Sequence, residues 1–202
     1  MPLWLASDPL VLASKSEVRR AVLEAAGLPV EIAPADIDER GIEKAASTSD
    51  AKAVAMLLAR EKAKAVAARK PGRLVLGADQ TLALGAERFS KPADRAAARA
   101  QLLKLRGKTH ELCSGLALVR DGAMLFEDCA IARLTMRNFS DKFLDNYLDA
   151  AGASVSQSVG AYQLEKTGIQ LFEKIEGDHF TILGMPLFLL LPCLRAQKAV
   201  AE

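Results

Sequence analysis

Short apolar runs of strand length alternate along this chain with longer stretches of helical spacing, and that alternation restricts it to an α/β fold. Leu10-Val11-Leu12-Ala13 has the length and composition of a short buried strand. Ser14 and Ser16 then turn the chain, and Ser16 stands where it can cap a helix that runs through Ala26 and stops at Gly27. Leu28–Ala33 reads as a second strand and residues 34–50 as a polar loop. A long helix follows from about Asp50 to Arg69, ended by Lys70-Pro71-Gly72. Leu74–Gly77 reads as a buried strand that delivers Asp79 and Gln80 at its C-terminal end, with Thr81–Leu84 continuing extended.

In the second half, Asp94 caps a helix to about Leu105, closed by Gly107. Thr109–Val119 and Ala123–Met136 form a hairpin around Asp121-Gly122, a strong two-residue turn signal. Ser140 caps a helix through Ala150, and Gly- and Ser-rich chain follows. Gln170–Ile175 is a further strand, and a C-terminal helix begins after Met185-Pro186. With no repeat and no clean linker, residues 1–202 read as one domain, expected as two lobes flanking a cleft.

At 202 residues and half hydrophobic, the chain can bury a substantial core. A net charge of +2 argues against a dedicated nucleic-acid binder. Met185–Leu191 is too short to span a membrane and is interrupted by Pro186 and Pro192. The start Met-Pro-Leu-Trp lacks the basic start and apolar stretch of a signal peptide. Cys113, Cys129 and Cys193 are odd in number and lack metal-ligand spacing, so they read as buried reduced thiols. The expectation is a soluble cytoplasmic protein with no nucleic-acid and no membrane partner.

The unit from Leu10 to Arg20 looks built to handle phosphate. A helix N-terminus favours anions through unpaired N–H groups and the dipole. Arg19 and Arg20, in the first turn, oppose that dipole, so a bound phosphate or carboxylate explains them better than helix stability does. Ser14 and Ser16 can add hydroxyl or backbone hydrogen bonds, and Ser16 can equally be a plain cap. Asp79, at the end of a buried strand, lies where α/β proteins place ligands, although an isolated Asp there is more simply a turn cap.

Asp36, Asp38 and Glu39 form an acidic cluster, which is either a solvated loop or a source of oxygens for Mg²⁺. Lys62 falls on the apolar row Ala55, Leu58, Lys62, Val66, from which it either snorkels to solvent or reaches into a cleft against a triphosphate. Lys91 precedes Pro92 on an exposed turn. His110 and His179 have no nucleophile pattern around them and receive no catalytic role, and the apolar helix Phe188–Leu194 is core packing.

The opening unit, Asp36-Ile-Asp38-Glu39, Ala59-Arg-Glu-Lys62-Ala63, Gly77-Ala-Asp79-Gln80, Lys91-Pro92, Gly160-Ala-Tyr162 and Glu176-Gly-Asp178 together resemble the Maf family. These are nucleoside triphosphate pyrophosphatases once described as septum formation inhibitors. The likeness spans residues 10 to about 190. It implies an inosine-triphosphatase-like α/β fold, a twisted mixed sheet flanked by helices with two lobes around a cleft, and it is compatible with a homodimer. It also implies hydrolysis of a nucleoside triphosphate to monophosphate and pyrophosphate, a house-cleaning task. Asp79 would be the general base, Glu39 a metal or water ligand, and Glu39 with Asp79 the metal site for a divalent cation such as Mg²⁺. Ser14, Arg19, Arg20, Lys62 and Lys91 would hold phosphates. The rival reading is a non-catalytic nucleotide-binding regulator of cell division, which would need no acid at the metal and base positions.

Val18, Gln80 and Glu165 occupy positions that separate substrate classes in the resembling family. The pyrimidine-specific members carry Arg, Thr and Gln there, and the 7-methyl-GTP members Trp, Gln and Glu. This chain shares Gln80 and Glu165 with the second group but departs from it at Val18, and it has Glu17 where the family usually has Pro. A carboxylate accepts two hydrogen bonds and donates none. Guanine offers adjacent N1–H and 2-amino donors, whereas uracil and thymine offer one donor between two acceptors. The expected substrate is therefore a modified or non-standard guanine-type nucleotide.

Overall fold

A computed structural model describes residues 3–46 and 48–202. Met1-Pro2 of the N-terminal reading and Ser47 of the expected loop lie outside the described residues. The first half contains β1 (Leu10–Leu12), α1 (Glu17–Ala25), β2 (Val30–Ile32), α2 (Glu39–Ala45), α3 (Ala51–Ala67), β3 (Val75–Leu84) and β4 (Glu87–Phe89). The second contains α4 (Arg95–Leu105), β5 (Thr109–Arg120), β6 (Ala123–Met136), α5 (Asp141–Ala151), β7 (Phe172–Glu176), α6 (His179–Ile182) and α7 (Leu187–Ala196).

The seven strands form a mixed sheet in the order β2-β1-β3-β5-β6-β7, with β4 paired to β3. The pairs β2–β1 and β1–β3 are parallel, and β3–β4 and β6–β7 are antiparallel. The expected α/β class and the helix starts at Ser16, Asp50, Asp94 and Ser140 are all present. Each of those four side chains accepts a backbone N–H three residues on. The β5–β6 hairpin turns at Asp121 (φ 49°) and Gly122 (φ 78°), the left-handed pair that a two-residue turn requires.

Three expectations need correction. Residues 39–45 of the polar loop are helix α2, because the Asp38 carboxylate accepts the Gly41 N–H at 3.0 Å and starts a turn that the composition alone does not announce. Asp79 and Gln80 lie mid-strand, not at a strand end, because β4 folds back to pair with Leu82–Leu84 and keeps β3 extended. The strand expected from Gln170 begins at Phe172, after a 3₁₀ turn over Thr167–Leu171.

The chain divides into two compact units. One takes the chain up to Gln80, then Cys113–Ala130 and Asp178–Glu202; the other takes Thr81–Leu112 and Ile131–Gly177. In the first unit, alternate residues of β1 and β3 enter two apolar clusters. Leu10, Leu12, Leu76 and Ala78 pack with α1 and α7, and Val11 and Val75 pack with Ala59, Ala63 and Val66 of α3. In the second unit, buried His110 meets the Tyr162 hydroxyl at 2.7 Å, and Tyr147 donates to the carbonyl of Ala161, a non-glycine residue held at φ 61°. Burial pulls the His110 pKa from 6.5 down to about 4, so the imidazole is neutral and structural.

The seat of α3 on the sheet is set by two glycines. A Cβ on Gly77 would stand 2.0 Å from the Ala59 carbonyl oxygen, and one on Gly115 of β5 would stand 2.5 Å from that of Ala55. Because these glycines lie on two strands and face alanines at four-residue spacing, the helix backbone rests directly on the sheet. Gly77→Ala should therefore push α3 outward and destabilise the fold by about 3 kcal/mol, the upper range for overpacking. A urea unfolding midpoint equal to that of the wild type would contradict this seat.

Candidate active site

Close approach of α3 to β3 brings Lys62 over Asp79. Both residues are 8% exposed, and Lys62 Nζ donates to Asp79 Oδ1 at 2.6 Å. The same ammonium lies 2.9 Å from Glu39 Oε1, on the first residue of α2. The snorkelling alternative for Lys62 is thus corrected: the ammonium is buried and meets two carboxylates, Asp79 and Glu39, instead of extending into solvent. Of the three acidic residues in the expected cluster, Glu39 faces Lys62 and Asp38 caps α2.

Burial pushes the Asp79 pKa above the ordinary aspartate value, against the pull of Lys62 and Arg19, which both favour the charged form. The result is a carboxylate with raised proton affinity that is hydrogen-bonded to Lys62 and also feels the charge of Arg19.

Arg19 turns inward from α1. Its Nη1 donates to the Ala78 carbonyl at 2.7 Å and to Ser14 Oγ at 3.2 Å, and its Nε donates to the Gly184 carbonyl at 3.0 Å. Burial lowers the Arg19 pKa while Asp79 and Glu39 raise it, and a guanidinium stays charged throughout. Arg20 behaves differently. It is exposed and pairs with Glu24 at 3.0 Å and Glu17 at 3.6 Å on its own helix. Arg20 thus has local helix-surface partners, at a spacing that is readable in the sequence. Ser14 Oγ also accepts the Ser16 N–H at 3.2 Å, so its hydroxyl is turned into the loop.

Gln80 faces away from Asp79, as strand alternation dictates. Its Nε2 lies 2.8 Å from Ser114 Oγ, 3.1 Å from the Thr181 carbonyl and 3.0 Å from the Ile182 carbonyl. Asp178 caps α6, and buried Ser114 donates to the Thr181 carbonyl at 2.7 Å. Ser114, Thr181 and Gly184 carry no signal in the sequence, since nothing local marks a serine on β5 as facing a helix end from a distant stretch of chain. Val18 is half-buried at the second position of α1. Lys91 and Glu165 belong to the second unit, where both are exposed and, among the described residues, make no hydrogen bond or ion pair.

Asp79 and Glu39 each use one oxygen on Lys62. Among the described residues no group of three or more His, Cys, Asp or Glu could hold a metal alone. Two carboxylates meeting at one ammonium nevertheless fit a hard cation such as Mg²⁺, which takes one or two protein carboxylates and completes its shell with water and substrate phosphates.

The Maf-like protein family model matches residues 9–197, and the chain belongs to this family. A nucleoside triphosphate pyrophosphatase from Rhodopseudomonas palustris (strain HaA2) is 57% identical over 201 residues, covering all of both chains. A 7-methyl-GTP pyrophosphatase from Mesorhizobium japonicum is 51% identical, over 96% of this chain and 98% of that protein. A solved nucleoside-triphosphatase, a dITP/XTP pyrophosphatase from Mycobacterium abscessus, is 17% identical over 95% of each chain, with a TM-score of 0.41.

Breaking the buried pair from one side should cost more than removing both charges. Lys62→Met is expected to destabilise the fold by about 3 kcal/mol, and adding Asp79→Asn to it should recover about 1–2 kcal/mol of what the two single changes sum to. Urea unfolding of the two single variants and the double variant gives the coupling. Strict additivity would mean that the two side chains do not interact in the folded protein.

Proposed function

We propose that this chain is a nucleoside triphosphate pyrophosphatase that cleaves between the α- and β-phosphates. The observation that carries the reading is the buried Asp79 carboxylate held 2.6 Å from Lys62, with Glu39 on the same ammonium at 2.9 Å. Relatives of similar length that bear this activity in their names support it.

In this mechanism Asp79 takes a proton from a water molecule, whose oxygen forms a bond to the α-phosphorus. The bond from that phosphorus to the bridging oxygen breaks, and pyrophosphate leaves. Lys62 holds Asp79 in place before the reaction and offers its charge to the phosphates when they enter. Arg20 and the Ser14 hydroxyl add contacts to the phosphate chain, and Arg19 has only its Nη2 N–H groups left for that purpose. A divalent cation held by Asp79 and Glu39, Mg²⁺ by the chemistry of the donor set, would neutralise phosphate charge. Phosphoryl transfer depends mainly on such positioning and charge compensation. Lys91 enters this scheme through the family pattern alone.

For the base we propose a guanine-type nucleotide. Glu165 is an exposed carboxylate on a short turn in which the Lys166 N–H meets the Gln163 carbonyl at 3.1 Å. Two accepting oxygens suit the paired donors of guanine, and the 7-methyl-GTP pyrophosphatase among the relatives agrees with that choice. The internal bonding of Gln80 and the absence of an aromatic side chain at Val18 leave Glu165 as the main discriminator.

Asp79→Asn should abolish pyrophosphate release, a loss of about 10²–10⁴-fold or more, while nucleotide binding stays measurable. Near-wild-type turnover of the purified variant would remove Asp79 from the chemistry. A wild type that binds nucleoside triphosphates and never turns them over would favour the non-catalytic regulator instead.

Glu165→Gln should shift the ratio of kcat/KM for 7-methyl-GTP or GTP over UTP towards the pyrimidine by about 5- to 150-fold, the equivalent of about 1–3 kcal/mol for a mismatched hydrogen bond. An unchanged ratio would mean that Glu165 does not read the base, and the pyrophosphatase assignment would stand without it.

A further inference from the structure

Among the described residues, no strand pairs with the β1-side edge of β3 over Gly77–Gln80. β1 pairs with β3 at Val75 and Leu76, and β4 pairs with it only from Leu82 onward. The Val11 and Ala13 N–H groups serve the carbonyls of Leu74 and Leu76. The next carbonyl on that edge, Ala78, would continue the ladder, but the chain has already left β1 for the loop into α1. Arg19 Nη1 occupies the vacant donor position at 2.7 Å, one residue before Asp79.

The same guanidinium reaches the segment from Thr181 to Gly184, through Nε to the Gly184 carbonyl at 3.0 Å. That segment is the C-terminal end of a one-turn helix, where carbonyls lack intrahelical partners. Three side chains from three elements supply donors to it: Arg19 to Gly184, Gln80 to Thr181 and Ile182, and Ser114 to Thr181. Gly184 lies at φ 78°, and a Cβ there would stand 3.3 Å from Arg19 Nε, so the segment is fitted closely to the guanidinium. Nη2 alone has no hydrogen-bond partner among the described residues.

We propose that Arg19 is a positioning residue, a replacement for the missing strand neighbour that clamps the Thr181–Gly184 segment to the backbone bearing Asp79 and Gln80, with Ser114 and Gln80 as the other jaws of the clamp. The proposal rests on the reading of Asp79 as the catalytic base, and it removes most of the phosphate-binding capacity from Arg19 while leaving that of Arg20 intact. A lysine keeps the charge but is a single ammonium and cannot donate along three fixed directions from one plane. A phosphate ligand would tolerate that exchange far better than a clamp.

The test compares Arg19→Lys, Arg20→Gln and Ser114→Ala, each in the full chain. Arg19→Lys should lower kcat by about 10²-fold, the scale of an ångström misplacement, with KM little changed. Arg20→Gln should raise KM instead. Amide hydrogen exchange should quicken at Ile182–Met185 in Arg19→Lys and in Ser114→Ala, and kcat should fall in both. Ser114 touches no phosphate in any reading, so its variant keeps the question open to decision if Arg19→Lys fails to fold. Arg19→Lys with wild-type kcat and raised KM, or unchanged exchange at Ile182–Met185 in both variants, would overturn the clamp. If the wild type hydrolyses no nucleoside triphosphate, the proposed function falls, while the exchange measurement still decides the clamp.

Discussion

The contact on which the rest of the site depends is the bare approach of one helix backbone to two strands. Gly77 and Gly115 leave α3 no side chain to ride over, and Ala55 and Ala59 present their carbonyls directly to the sheet. At that separation the lysine three residues after Ala59 is buried against the sheet. Its ammonium ends beside whatever the strand offers two residues beyond Gly77, which is Asp79. Glu39 reaches the same ammonium because Asp38 caps a helix there and sets the first turn of α2 beside α3.

A buried ion pair is a weak way to stabilise a core, since desolvation offsets most of the attraction. An apolar pair of similar volume would hold α3 on β3 at least as well. The charges fit the proposed chemistry better than a packing role: burial raises the proton affinity of Asp79, and Lys62 and Arg19 oppose that rise. The energetic burden is carried by the apolar faces around it, where Val11, Val75, Ala63 and Val66 pack on one side of the strands and Leu10, Leu12, Leu76 and Leu116 on the other.

Much of this is legible in the sequence wherever the signal is local. Ser16, Asp50, Asp94 and Ser140 announce helix starts through a hydrogen bond three residues away, and Asp121-Gly122 announces a turn through its dihedral demands. Signals that depend on tertiary pairing mislead or stay silent. β3 passes through Asp79 and Gln80 without ending because β4 returns to pair with it, and no local residue pattern states that. Lys62 looks free to snorkel because the proximity of α3 is set by glycines on two other strands. Arg20 has local partners in Glu17 and Glu24, whose spacing is readable in the sequence and which the dipole argument leaves out. The partners of Arg19 and Gln80 lie about a hundred residues or more away, at Thr181–Gly184, so no window of sequence contains both.

The central claim is that water, activated at Asp79, attacks the α-phosphorus of a nucleoside triphosphate. Hydrolysis in ¹⁸O-labelled water with mass analysis of the products tests it most directly. The account predicts one labelled oxygen in the nucleoside monophosphate and none in the pyrophosphate. Label in the pyrophosphate, or products that are a nucleoside diphosphate and orthophosphate, would contradict it.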